Sequence, residues 1–331
     1  MTTTPTKLPP NPIHHFYRGG PAIAKLRGFP LESDHTPEEW IGSTATLFGE
    51  SQRGLSALPD GTLLRDAIVA DPEAWLGAAH VERFGADPAL LVKLLDTGER
   101  LPVHVHPDGP FAREHLGTKF GKTEAWIVLD AEPGAQLHLG WRGDVDERTL
   151  RAWVDEQDRD ALLDGLNPVP VSAGDALFVP AGQAHAIGEG VLIVELQEPT
   201  DMSILLEWHG YADDDDAATL GLGWDLALSS VDRAARDPAS LRGPRSEGSI
   251  TELLPPAASP FFTAQSLDTS GGQVPLEAGF AVILVTDGTG ELAGVEVQRG
   301  DALVVPHAAG TVIAEGQLKA IACRPPRRDG G

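Results

Sequence analysis

The 331-residue chain has an apolar content of 41 % and a formal net charge of −24. That charge argues against nucleic acid or an anionic membrane as a partner, because both repel an acidic surface. One cysteine, Cys323, excludes an internal disulfide and a thiolate metal site. No apolar run approaches the roughly 20 residues of a membrane span, and the Thr- and Pro-rich start lacks a leader pattern, so a cytoplasmic protein is expected.

Residues 1–12 read as extended or disordered, and 13–60 as short strands and turns with a Gly19-Gly20-Pro21 turn. His14 and His15 are adjacent, so on a strand they face opposite ways and at most one can join a site. Helical spacing runs from Leu63 to Phe84, broken at Asp71-Pro72. Pro88 to Asp96 is nearly continuous in apolar residues, which predicts a strand buried on both faces. Lys93, its one internal charge, must then reach solvent or find a buried partner.

The stretch Leu101–Glu124 carries the chemistry. His104 and His106 are two apart in a Val-interleaved run, which places both imidazoles on one side of a strand. A Gly-, Pro- and Asp-containing loop follows, and then Lys122 and Glu124 repeat the i, i+2 relation before the strand Ala125–Leu129. His185 lies further on, after Gly174–Val179 and Pro180-Ala181-Gly182. Two histidines, a glutamate and a distant histidine on strands predict a first-row divalent metal site of His104, His106, Glu124 and His185.

Asp146 to Leu166 reads as an inserted amphipathic helix or pair. Strands resume from Val169 to Trp208, and Ala217 to about Ser259 mixes helix and loop. A last all-β unit contains Gly300-Asp301-Ala302-Leu303-Val304-Val305-Pro306, which repeats Gly174-Asp175-Ala176-Leu177-Phe178-Val179-Pro180. Such self-similarity predicts a duplicated architecture. The second copy has neither an H-x-H nor a histidine at the offset of His185, so one barrel binds metal and the other does not.

The G-x5-P-x-G-x2-H pattern of Gly174–His185, downstream of H-x-H and a glutamate, resembles the cupin signature. The runs Glu39–Ser43, His104–Asp108, Gly121–Trp126, Leu129–Ala135 and Pro180–Gly188 together resemble type I mannose-6-phosphate isomerase in its short bacterial form, over most of the chain. The resemblance implies a mainly β fold of two jelly-roll cupin barrels with helical insertions, the second barrel degenerate. The expected layout is N-terminal strands packing on the first cupin (1–60), a helical segment (61–92), the metal-binding cupin (93–240, with an insertion at 146–166) and the degenerate cupin (250–326).

It also implies a zinc-dependent aldose–ketose isomerase, with one Zn2+ per chain and Mn, Fe, Co or Ni as alternatives. His106, Glu124 and His185 match the family's metal ligands; His104 stands where a glutamine is common. Lys122 matches a lysine at the substrate. For the proton shuttle between the two carbons, Glu195 is the carboxylate candidate, and Lys93 and Lys119 are further candidates for substrate binding. Leu205 occupies the place of a family arginine, and Glu198 that of a glutamine. Both changes disfavour a dianion, so the expected partner is a small sugar or sugar phosphate, bound by a monomer or homodimer. A cupin isomerase for an unphosphorylated sugar, a metal-cupin oxygenase and a non-catalytic sugar sensor are the rival readings.

Overall fold

The computed structural model describes residues 3–327. Among them, two antiparallel sheets face each other, built from strands between Pro12 and Leu205. The larger has the strand order Pro12–Ile13, Glu38–Ile41, Leu91–Asp96, Val191–Gln197, Glu124–Ala131, Ala176–Val179. The smaller runs Ile204–Leu205, His104–Val105, His185–Ile187, Gln136–Trp141, Leu166–Pro170. An eight-stranded sheet holds the C-terminal part, from Ile250–Glu252 to Val312–Arg324. This is the mainly β cupin architecture. No helix of the described residues is long and apolar enough to cross a membrane.

The central strands of the larger sheet, LVKLLD and VLIVELQ, are buried on both faces. One face lines the space between the two sheets. The other belongs to a continuous apolar core that reaches Val282, Leu284, Val304 and Phe262 of the C-terminal part. Covered on both sides, such strands lose the alternation of a half-exposed sheet and become runs of Val, Leu and Ile. Each large apolar side chain so buried contributes about 1.5–3 kcal/mol.

Three details differ from the sequence-based expectation. Thr6–Lys7 is a strand, and it pairs with Ala302–Val305 of the C-terminal sheet and not with the first barrel. The segment after Gly19-Gly20 is a helix, Pro21–Arg27, with Gly20 at φ 109° turning the chain into a proline at the first helical position. The supposed loop after His106 holds a second helix, Gly109–His115, whose entry is fixed by the Asp108 carboxylate accepting from Phe111 N at 2.9 Å. In both cases one cap, and not apolar periodicity, carries the signal.

The helical reading of 63–84 resolves into Leu64–Ala70, Pro72–Leu76 and Ala78–Phe84, and the charged insertion into Glu147–Glu156 and Arg159–Asp164. The two Gly-Asp-Ala-Leu segments adopt the same turn. Gly174 and Gly300 have φ of 88° and 91°, where a side chain is strained. The following aspartates accept from the backbone three residues earlier, Asp175 from Ser172 N and Asp301 from Gln298 N, each at 2.9 Å.

Candidate metal centre

The site lies between the two facing sheets, and strand register builds it. On the smaller sheet Leu205, His104, His185 and Leu139 are consecutive cross-strand partners. On the larger sheet Trp40, Lys93, Glu195 and Trp126 form the corresponding row. Glu124 begins its strand one step further along, paired with Gln197, and His106 follows directly after the His104–Val105 strand. Residues scattered from Trp40 to Leu205 thus come to one place because each strand contributes one or two inward positions.

His104, His106 and His185 each bring a ring nitrogen within 4.8 Å of the others. Their Nδ1 atoms lie 2.8, 2.9 and 2.9 Å from the carbonyl oxygens of Pro102, Met202 and Gln183. A carbonyl only accepts, so each Nδ1 carries the proton and each Nε2 presents a lone pair. Burial, reinforced by neighbouring Lys122 and His106 respectively, pushes His106 and His185 down to about 3. Burial and then His185 hold His104 well below the usual imidazole range. All three are neutral at physiological pH, which is the ligand form.

Glu124 faces them from the other sheet, with Oε1 3.0 Å from His106 Nε2 and Oε2 3.6 Å from His185 Nε2. Burial alone raises its carboxyl, but His106 and Lys122 (Nζ to Oε1 3.3 Å) outweigh that and hold it well below the carboxylate range. Lone pairs of an imidazole and a carboxylate therefore point at each other with no proton between them. His106 Nε2, His185 Nε2 and Glu124 Oε2 are buried without a hydrogen-bond partner. Each such atom costs about 1–3 kcal/mol, and one cation satisfies all three. Three nitrogens and one carboxylate oxygen are the donor set of a borderline divalent ion.

The floor of the pocket is charged as well. Glu195 is buried, and desolvation followed by the negative Glu124 raises its carboxyl well above the ordinary value. Lys93 is the buried charge anticipated in its strand. It found partners: Glu38 Oε2 at 3.3 Å and Asp201 Oδ1 at 3.5 Å, with the Trp40 ring 4.8 Å from its Nζ. Burial opposes its charge, but those carboxylates prevail and raise it, so it is a permanent ammonium. Glu38 is shared further, accepting from Tyr17 Oη at 2.5 Å and from Trp40 Nε1 at 2.7 Å.

His15 lines the pocket 3.3 Å from Glu38, while His14 stacks on His35 outside it. Lys119 is not in the pocket. It is exposed, donates to Phe84 O at 3.0 Å and rests against the Phe84 and Phe120 rings. Nor does Glu198 add charge to the cavity: its carboxylate turns back to accept from Thr123 N at 2.9 Å, bracing the segment that carries Lys122 and Glu124. Leu205 does face the cavity, whose volume is about 360 Å³. Tyr17, Glu38 and Asp201 were missed as site residues by sequence reading.

A two-sheet β-barrel with a three-histidine, one-glutamate centre beside a buried glutamate and two lysines defines a metal-site cupin enzyme. No family model matches the chain. The mannose-6-phosphate isomerase of Streptococcus mutans is 31 % identical over 323 residues, covering 94 % of this chain and 95 % of that one. The isomerase ManA of Bacillus subtilis is 27 % identical over 333 residues, covering 97 % and 99 %. Among solved structures, the mannose 6-phosphate isomerase from Bacillus subtilis superposes with a TM-score of 0.78 at 22 % identity, covering 97 % of this chain and 99 % of its own. The chain belongs to the mannose-6-phosphate isomerase family and is an aldose–ketose isomerase.

Proposed function

We propose that the pocket interconverts a mannose-type aldohexose and its ketose by proton transfer between C1 and C2, with one zinc ion held by His104, His106, Glu124 and His185. The observation that carries this reading is the convergence of three Nε2 lone pairs and an ionised carboxylate facing a buried Glu195, whose carboxyl is raised by its burial and by Glu124. Mannose 6-phosphate, named in the relatives, is the reference substrate. Manganese, iron, cobalt or nickel would suit the same donors.

A divalent ion bound there would act as a Lewis acid on adjacent sugar oxygens. The chain's own residues do the rest. The Glu195 carboxyl, raised by its burial and by Glu124, is placed to take the proton from one carbon and return it to the other, and a carboxyl moved toward neutrality suits both halves of that transfer. Lys122, within reach of Glu124 Oε1, would donate to the oxygen that becomes negative. Lys93 would hold Glu38 and Asp201 in place and supply a fixed positive charge beside Glu195.

The test is a coupled isomerase assay on protein stripped with a chelator and reloaded with zinc. Turnover of mannose 6-phosphate, mannose or lyxose that appears with the ion and disappears without it is expected. Equal rates in stripped and reloaded protein would sink the metal assignment.

A further inference from the structure

We propose that the sugar taken by this site is uncharged, an aldose without a phosphate group; this rests on the isomerase reading above. Among the described residues, each cation lining the cavity already has a carboxylate partner. Lys93 lies between Glu38 and Asp201 at 3.3 and 3.5 Å, and Lys122, 3.3 Å from Glu124, is the donor assigned above to the reacting oxygen. Arg53, half exposed at the rim, pairs with Glu50 at 3.3 Å. His15 faces Glu38. Against these stand five carboxyl groups in the same lining: Glu38, Glu50, Glu124, Glu195 and Asp201.

A phosphate dianion needs several donors, preferably unpaired and charged. To recruit Lys93 it would have to strand Glu38 and Asp201, and a buried charge left without its partner is strongly unfavourable. Arg53 offers only a solvent-screened contact. Apart from Tyr17, Ser203 and His104 the rest of the wall is apolar, with Leu47, Phe48, Leu205 and Leu220 lining it. Leu205 stands directly across from His104 in register, so the face nearest the metal ligands offers a dianion carbon atoms and not donors. A neutral polyol requires none of this. Its hydroxyls can share Glu38, Asp201 and Glu195 as acceptors, and its C–H face can lie on the leucines.

Two measurements on the zinc-loaded full chain test the inference. The first is calorimetric binding of sorbitol and of sorbitol 6-phosphate, neither of which can isomerise. The second is kcat/KM on mannose and lyxose against mannose 6-phosphate. We expect sorbitol to bind at least as tightly as its phosphate, and a free aldose to exceed mannose 6-phosphate by about tenfold or more, the factor that one missing charge-assisted contact represents. In Leu205→Arg the ratio should move toward the phosphate by about the same factor.

Tighter binding of sorbitol 6-phosphate together with faster mannose 6-phosphate turnover would overturn the inference and leave the isomerase reading standing. A ratio unmoved in a Leu205→Arg variant that still binds sorbitol would also overturn it. Sorbitol bound in preference to its phosphate, with no aldose turned over, would uphold the inference about charge and overturn the isomerase reading. Binding of neither polyol would overturn both.

Discussion

The two barrels share a turn and differ in what they enclose. Both Gly-Asp-Ala-Leu segments enter a buried strand from a left-handed glycine, with the aspartate accepting from the same relative backbone position. Beyond the turn the first barrel encloses His106, His185, Glu124, Glu195 and Lys93, all nearly or fully buried. The second packs Leu267, Leu276, Ile283, Val285, Leu303, Val305, Val312 and Leu318 against one another. Where the first copy runs Pro180-Ala181-Gly182 into the His185–Ile187 strand, the second makes a short helical turn at His307–Ala309, with His307 exposed. The same scaffold can therefore be filled with hydrocarbon, which stabilises it outright, or with charge, which is tolerated only when each group is paired or completed by a ligand.

Breaking the charged barrel at its ligands should have the largest consequence. His185→Ala removes one of three nitrogens from the centre, and we expect zinc content after dialysis to fall to background and activity to drop by at least about 100-fold. Elemental analysis of the purified variant checks the first part, and unchanged zinc would refute the ligand assignment. Glu195→Gln keeps shape and burial but not the transferable proton. Its kcat should fall by roughly 10²- to 10⁴-fold with zinc retained. A variant with near-normal kcat would move the proton transfer to another group.

Lys93→Met sharpens the comparison from the other side, because it makes the first barrel chemically more like the second. The methionine fits the strand, but Glu38 and Asp201 lose their counter-charge. Removing one partner of a buried pair costs about 3–5 kcal/mol. The cost should be read as a lowered midpoint in chemical denaturation, and a variant as stable as the parent would show that Lys93 is not what neutralises Glu38. The triple change that also replaces Glu38 and Asp201 with Gln and Asn should recover most of the stability without recovering activity.

These residues were not equally visible in the sequence. The His104/His106 pair and the Lys122/Glu124 pair declare themselves locally, since an i, i+2 spacing on a strand fixes a shared face without knowledge of the fold. His185 was legible through its Pro-x-Gly approach. The partners of Lys93 were not, because Glu38 and Asp201 lie on segments 55 and 108 residues away, the first brought near by antiparallel register and the second by the loop after Val191–Gln197. Lys119 illustrates the converse error: it is close in sequence to Lys122, yet the Gly109–His115 helix and Phe120 carry it to the surface. Glu198 was placed correctly near the site, but its direction depended on a hydrogen bond to Thr123 that composition cannot reveal.

The smallest expected effect concerns the shared turn itself. Asp301 accepts one backbone N–H at 2.9 Å and pairs with Lys7, whose side chain is largely exposed. Asp175 accepts Ser172 N and Oγ, and it also receives Arg245 Nη2 at 2.7 Å and Arg242 Nη1 at 3.5 Å. A single turn bond with a solvent-screened ion pair is worth about 1 kcal/mol, whereas a bond to a partly buried, arginine-paired carboxylate is worth about 1.5–3 kcal/mol. Asp301→Ala should therefore cost less stability than Asp175→Ala, and neither should alter zinc content, because both turns lie outside the ring of ligands. Chemical denaturation of the two variants decides the order. If Asp301→Ala proved the more damaging, the second barrel would have to support the first through the Lys7 strand more strongly than its exposed ion pair implies.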